Sequence, residues 1–507
     1  MLARPTSFWM PLAAAALVLS AYLIQGVWAS TRKSPAFDET GDIAAGLSYV
    51  QTAQVRANLQ HPPLMKWMPG AALWVAGVRL PDSPAARRML AGQGGERAVG
   101  SELLASAGVD RALLLARLPF LFCATLLGAL LFVWGRELAG DAAGLAALLI
   151  YVLDPNVMAH GYLATMDMGL AAFTILFFYA LWRYVNEPDT RRLICCGIAM
   201  GLMLSAKFSA LFLLPVAVVL LWVALPWRAA VRAFLLWLGI ATIVIQTLYL
   251  SPGGLFLYKT GLDSVNQDHN PDYLVFLAGQ LDHSFASYFA VAWLLKEPLA
   301  TLLLGGIGLW AMRQLRFPRL TWLFLLLPPL AILSAHMLFA DDLGVRYILP
   351  AFPFAHLIAG IGAAWLLTLR WGRPLAAALA VWLIIAAIAI YPDSLSYFNE
   401  AAGGKLMLDD SNVDWGQGLK QLRDWLDVNG KGRPVRLAYF GSFPPANYIP
   451  NTQPLDPGDL KPGSTPGLYA VSAHFVARTP EIARMKPTAI VGHAIYIYAL
   501  PAQAASP

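Results

Sequence analysis

Apolar runs of about twenty residues recur along most of the chain, separated by short polar turns. A helix of that length crosses the hydrocarbon of a bilayer. Backbone groups in lipid must be satisfied within their own segment, which selects helices. Eleven such segments stand out, at residues 8–29, 112–134, 141–157, 164–185, 193–206, 208–225, 233–250, 288–311, 320–338, 347–369 and 375–391. The fifth and sixth are short, and a single tilted helix is the alternative there. Charge decides between the two. Arg136, Arg191 with Arg192, Arg228 with Arg232, Arg313 with Arg316 and Arg319, and Arg370 with Arg373 all fall in short loops of one side. The excess of basic residues in cytoplasmic loops makes that side cytoplasmic. One continuous helix over 193–225 would put Arg228 and Arg313 opposite Arg136, so the broken pair is retained. The N-terminus is then cytoplasmic and the C-terminal part extracytoplasmic.

This pattern predicts an α-helical polytopic membrane domain over residues 1–391 and a small α/β domain over 392–507. Residues 30–111 form a long first outer loop. Its pieces 40–59 and 64–79 are amphipathic and predict helices lying along the membrane surface. Residues 81–100, rich in Pro, Gly and Arg, predict a mobile stretch. After Pro392 the composition shifts. Ser411-Asn412 is placed to cap a helix with Trp415, Leu419, Leu422 and Leu426 on one face. Val435–Phe440, Leu468–Phe475 and Thr488–Tyr498 read as strands.

Composition adds little beyond this. The 507 residues are 58% hydrophobic and 13% charged, about half the charge fraction of an ordinary soluble chain. The net charge of +6 is spread over the cytoplasmic-type loops and does not suggest nucleic acid. Cys123, Cys195 and Cys196 lie in apolar segments and give neither a disulfide framework nor a metal spacing. The first apolar run resembles a signal peptide with a cut near Ala29-Ser30. It is long, and a cut would free the loop from its anchor, so a retained first span is the reading.

The polar residues on the outer side carry the candidate chemistry. Asp38 and Glu39 follow directly on the first span. Being adjacent, they point different ways on any regular element, so one is free to act as a base while the other holds an acceptor, a metal or an arginine. The alternative is a solvated acidic helix start with Asp38 as cap. Asp167 begins a span, where an acid is costly unless it handles substrate or meets the helix dipole. Lys66, Arg117, Lys207 and Arg346 lie on or near the outer face, where basic residues should be scarce. Together, opposite the acids, they suggest an anionic group held at the outer leaflet. Arg117 is the expected partner of Asp38 or Glu39. His61 either contacts phosphate or acceptor, or caps a turn before Pro62-Pro63. Tyr347 and His356 read as structural, His160 as packing, and His336 with Asp341-Asp342 as bordering the site. No P-loop is present, which argues against an ATP-driven transporter.

In order along the chain these residues stand in motifs that resemble the protein O-mannosyltransferase family. The matching stretches are Phe37-Asp38-Glu39, His61-Pro62-Pro63-Leu64-Met65-Lys66, Leu115-Ala116-Arg117-Leu118-Pro119, Ala159-His160-Gly161 with Ala164-Thr165-Met166-Asp167, Ser205-Ala206-Lys207, Lys296-Glu297-Pro298-Leu299 and Arg346-Tyr347-Ile348-Leu349-Pro350. Pro392 to Glu400 and Asp410 to Gln417 look like a bacterial branch of the same family, which is related to the aminoarabinose transferases. The resemblance implies a C-type glycosyltransferase fold, a polyprenyl-phosphate sugar donor and inversion at the sugar carbon. It implies Asp38 as general base, Glu39 as a positioning group bridged by Arg117 to the second span, and Asp167 as support for the site or a metal. Lys66, Lys207 and Arg346 would hold the lipid phosphate, with His61 beside them. His61 matches the mannosyltransferases, where the aminoarabinose transferases carry Lys. No outer loop is long enough for the large insert of the eukaryotic members.

The expectation is therefore an integral-membrane, inverting glycosyltransferase of the cell inner membrane with a periplasmic active site. Its partners would be the lipid-linked donor, membrane lipids, and a protein, lipid or glycan acceptor. A divalent cation is a possible cofactor. The alternatives are a lipid-linked sugar transporter or flippase, and a non-catalytic membrane protein of envelope assembly.

Overall fold

The computed structural model describes residues 9–268, 270 and 272–501. The first span is α1 (Trp9–Thr31), and the first outer loop that follows is mostly helical: α2 (Glu39–Thr52), α3 (Leu64–Val75), α4 (Pro84–Leu90) and α5 (Glu96–Ser106). Two expectations fail here. The stretch 81–100 is not free of structure, since it holds α4 and the start of α5. Nor does α2 lie on a surface: Ile43, Leu47 and Tyr49 are wholly buried. The cause is glycine, which reads as flexibility in the sequence but acts here as a packing device. A Cβ on Gly46 of α2 would overlap the Lys66 carbonyl oxygen on α3. One on Gly100 of α5 would overlap the Thr40 carbonyl oxygen. Helix α2 is thus sandwiched at backbone contact, and α5 carries Glu96 and Arg97 with it. Gly100→Ala is expected to cost at least about 1–3 kcal/mol by overpacking. An unchanged thermal unfolding midpoint of the purified variant would contradict this packing.

The membrane part continues with α6 (Val109–Ala139), α7 (Asp141–Leu153), α8 (Pro155–Gly161), α9 (Met166–Asn186), α10 (Thr190–Ala206), α11 (Leu214–Ala224), α12 (Trp227–Tyr249), α13 (Gly254–Gln267), α14 (Tyr288–Lys296), α15 (Leu299–Gln314), α16 (Arg319–Phe339), α17 (Phe352–Thr368) and α18 (Gly372–Ile390). Among the described residues seven helices are long and apolar enough to cross a membrane, and up to nine count as spans when α7 with α8 and α14 with α15 are each taken as one bent span. The other two apolar segments, α10 and Phe208–Ala224, are shorter. The break between them falls at Lys207, whose backbone is extended, and the chain resumes as a 3-10 turn over Phe208–Leu213.

The C-terminal part is a mixed sheet. After the small hairpin of β1 (Val275–Leu277) and β2 (Gln280–Asp282), it is built from β3 (Val435–Ala438), β4 (Thr452–Pro454), β5 (Gly467–Ser472), β6 (Ala489–Val491) and β7 (Ile495–Leu500), in the order β4-β3-β5-β7-β6. Strand β3 runs parallel to β4 and β5, while β7 is antiparallel to β5 and β6. The expected strand 488–498 is in fact the β6–β7 hairpin. The helix α19 starts at Leu419 and ends at Asn429, so Ser411 and Asn412 do not cap it. They fasten the preceding loop instead: Ser411 Oγ donates to the Leu343 carbonyl, and Asn412 Oδ1 accepts from Val345 N at 2.9 Å.

Candidate active site

The segment that carries Asp38 is clamped by the C-terminal part. Ser34 N donates to the Gln417 carbonyl at 3.1 Å and Phe37 N to the Trp415 carbonyl at 2.8 Å. Ser442 Oγ donates to the Phe37 carbonyl at 2.6 Å. The Lys33 ammonium pairs with Asp393 and donates to Gln421. Backbone bonds on this scale fix the loop, so the C-terminal part, through its loops and α19, positions the site although it carries no catalytic motif of its own.

Asp38 stands at the start of α2 but makes no capping bond. Its carboxylate turns to Arg346, with Oδ2 at 3.1 Å from Nη1, and Oδ1 lies 3.9 Å from Arg97 Nη2. Arg346 also lies 3.7 Å from Asp167 Oδ2, and Lys207 Nζ donates to Asp167 Oδ1 at 2.7 Å. Two carboxylates from different elements therefore meet two cations: Asp38 from the first loop, Asp167 from α9, Lys207 from the α10 break and Arg346 from the turn before α17. Arg346 is further held over the Trp415 ring at 4.3 Å and the Tyr347 ring at 5.0 Å. Its Nε has no hydrogen-bond partner.

These groups line a cavity of about 510 Å³ together with His61, Asp42, Asn58, Gln60, Glu96 and Arg97. It shares Asp38, His61, Arg97 and Arg346 with a larger hollow of about 1700 Å³, walled by Phe37, Tyr273, Tyr347, Trp415 and Phe440. His61 sits at φ 64°, a left-handed conformation uncommon outside glycine. The turn into Pro62-Pro63 and α3 holds it there, with Nδ1 buried and unpartnered. Burial first, then the charges of Lys207 and Lys66, push the imidazole well below its ordinary range, so it is neutral.

Three residues singled out in the sequence do not reach the cavity. Glu39 faces the other way and receives Arg117 in a bidentate pair, Nε to Oε1 at 2.8 Å and Nη2 to Oε2 at 2.6 Å. Its oxygens also accept from Ala164 N at 2.9 Å and Ala36 N at 2.8 Å. Arg117 spends its remaining donors on the carbonyls of Ser30, Lys33 and Ser34. Lys66 is wholly buried and bonds Asn58 Oδ1 at 2.9 Å and the Gln60 carbonyl. Saturated in this way, Glu39, Arg117 and Lys66 build the walls, while Asp38, His61, Asp167, Lys207 and Arg346 face the cavity.

Asp42, which the sequence reading passed over, lies one helical turn after Asp38 and so on the same face of α2. That spacing was available as a signal. Burial pushes its carboxyl up to about 8, with Lys66, 4.0 Å away, pulling against it. Burial likewise draws the Lys66 ammonium down to about 8. Because folded Asp42 holds its proton more tightly than the unfolded chain, its contribution is complete at low pH and is lost as pH rises toward 8. Wild-type thermal stability should therefore fall between pH 5 and pH 8 more steeply than that of Asp42→Asn. Parallel profiles would refute the assignment.

The fold is similar to that of solved membrane glycosyltransferases of the C-type fold. The apo structure of ArnT from Cupriavidus metallidurans superposes over 95% of this chain and 97% of its own, at TM-score 0.52 and 13% identity. The archaeal oligosaccharyltransferase AglB of Archaeoglobus fulgidus, in complex with an inhibitory peptide and a dolichol-phosphate, covers 90% of this chain and 62% of its own, at TM-score 0.51 and 12% identity. By sequence, residues 109–250 match the family described as dolichyl-phosphate-mannose-protein mannosyltransferase. No curated protein matches the chain by sequence. The matched stretch contains Arg117, Asp167 and Lys207, so the resemblance first read from short motifs also stands on a continuous segment.

Proposed function

We propose that this protein is an inverting glycosyltransferase that moves a sugar from a polyprenyl-phosphate donor to a hydroxyl-bearing acceptor at the outer face of the inner membrane. The observation that carries the reading is the meeting of Asp38 and Asp167 with Lys207 and Arg346 at one cavity mouth. Loop-borne and helix-borne charges of both signs are brought together there, which supports cations for a phosphate beside a base for an acceptor. In the reaction Asp38 takes the acceptor proton as the acceptor oxygen bonds the anomeric carbon. The bond from that carbon to the phosphate oxygen breaks, and its electron pair leaves on polyprenyl phosphate. Arg346 and Lys207 stabilise the growing phosphate charge, and neutral His61 donates a hydrogen bond to it. Asp167 holds Lys207 and Arg346 in place and keeps them from quenching Asp38 outright.

The charge pattern of the loops supports a multi-pass arrangement with the N-terminus cytoplasmic and the C-terminal part outside. The first loop, Lys207, Arg346 and the tail, all assigned outward, line the site. AglB has been captured with dolichol-phosphate and a peptide, which supports a lipid phosphate as the leaving group here. The test is direct. Purified protein in lipid nanodiscs is given a polyprenyl-phosphate sugar and, in turn, protein, lipid and glycan acceptors from the cell envelope. Acceptor-dependent release of polyprenyl phosphate is expected. Movement of the donor across vesicles without release would make the protein a transporter instead.

A further inference from the structure

A second cluster of ionisable groups lies inside the helical part, and the transfer reaction does not use it. Asp154, Glu297 and His356 are each fully buried. Their potential ligand atoms all fall within 4.8 Å of one another. His356 Nε2 is 3.1 Å from Asp154 Oδ2 and 3.3 Å from Glu297 Oε1.

The position of the cluster in the fold is informative. Asp154 is the residue at the 68° bend between α7 and α8, and Glu297 the residue at the 104° bend between α14 and α15. His356 lies in the second turn of α17, against both. The two bent spans thus point their corner carboxylates at one imidazole.

Protons alone leave the cluster poorly satisfied. A single Nε2–H has two carboxylates to serve, and neither Glu297 oxygen makes a well-formed hydrogen bond. Nδ1 has no acceptor, so a proton on it is unsatisfied whether Nε2 meets a carboxylate or a metal ion and does not separate the two arrangements. The nearby Lys296 ammonium does not help: it donates to the carbonyls of Leu395 and Asn412 at 2.8 and 2.6 Å. Two carboxylates away from water therefore have only the imidazole N–H and, beside Glu297, the Trp293 indole N–H to serve them, a costly arrangement.

A divalent cation resolves it. Zinc bound by nitrogen and oxygen at about 2.0–2.2 Å in a tetrahedron separates its ligand atoms by about 3.3 Å. Two of the three edges, 3.1 and 3.3 Å, match that spacing, and the third lies within 4.8 Å. Asp154 is already oriented as a ligand should be, since its other oxygen accepts from Asn156 N at 2.7 Å and Asn156 Nδ2 at 2.9 Å. We propose that Asp154, Glu297 and His356 form a divalent-metal site of the zinc type that staples the two broken spans to α17. The imidazole binds through Nε2 with its proton on Nδ1, and the two carboxylates neutralise the ion.

The experiment measures metal directly. Protein is produced in zinc-supplemented medium, purified without chelator and desalted, and its zinc is quantified by mass spectrometry. About one zinc per chain is expected for wild type, and at least about a tenfold drop for Glu297→Gln and for His356→Ala. A strong chelator is expected to lower the melting temperature of wild type and to leave that of Glu297→Gln unchanged. Cobalt-loaded wild type should show the visible bands of a tetrahedral ion. Wild type that holds well under one metal per chain, or variants that hold as much as wild type, overturns the proposal. If the variants do not fold, the wild-type stoichiometry and cobalt spectrum decide it alone.

Discussion

Asp38→Asn is expected to lower sugar transfer by roughly 10²–10⁴-fold, the range that removal of a general base commands. The amide keeps the size and the hydrogen-bonding reach of the carboxylate. It still accepts from Arg346, so the loop between α1 and α2 keeps its clamps to the C-terminal part. Thermal stability and elution profile are therefore expected to match wild type, and the loss should fall on the catalytic rate rather than on donor binding. An uncharged amide does not repel the donor phosphate, so donor affinity should hold or rise. The split between catalytic rate and donor binding separates this role from a purely structural one. Wild-type turnover in the variant would remove Asp38 from the chemistry and, with it, the reason for reading the cavity as a transferase site.

The architecture was legible because lipid leaves few options. Long apolar runs must be helices, and basic loops reveal their sides, so the helical segments and the break at Lys207 could be read in order from composition alone. The first outer loop was not legible in the same way. Its Gly and Pro content reads as mobility, but Gly100 and Gly46 are there because Thr40 and Lys66 present backbone oxygens at contact distance. Only the partner helix explains such a glycine, and in both cases that helix lies well away along the chain. The site shows the same limit. That Asp38, Asp167, Lys207 and Arg346 would share one place was expected from the common side to which the loop charges assign them. That Lys66 would turn away to hold Asn58 and Gln60 did not, because a loop lysine looks alike in sequence whether it faces a ligand or a carbonyl. Asp42 and Arg97 needed the α2–α5 packing before they could be seen beside Asp38. His356 read as structural because a lone histidine on an apolar helix usually is. Only the convergence of two helix bends gives it ligand-type neighbours.

The neighbour of Asp38 should behave in the opposite way. Glu39→Ala and Arg117→Ala are each expected to destabilise the protein by about 3–5 kcal/mol, since each leaves one partner of a buried ion pair without its counter-charge. Glu39 is fully buried and Arg117 is 1% exposed, so water cannot reach either to repair the loss. The defect is larger for Glu39 than charge alone implies, because the backbone N–H groups of Ala36 and Ala164 lose their acceptor together with Arg117. Ala36 lies just before Asp38 in the chain, and Ala164 just before Asp167. Activity should therefore decline in step with the folded fraction, with no new limb in the pH profile. In the double variant Glu39→Leu/Arg117→Met, two apolar side chains replace the pair, and the loss should be smaller than the sum of the single losses. Measured unfolding in detergent, read as a double-mutant cycle, gives the coupling. Single variants as stable as wild type, or losses that simply add, would mean that the pair does not hold the loop. The two acids then could not be assigned separate tasks by the direction in which each one faces. If the cycle shows strong coupling, adjacency in the sequence becomes the mechanism by which one side chain anchors α2 and α6 together so that the next is delivered to the cavity.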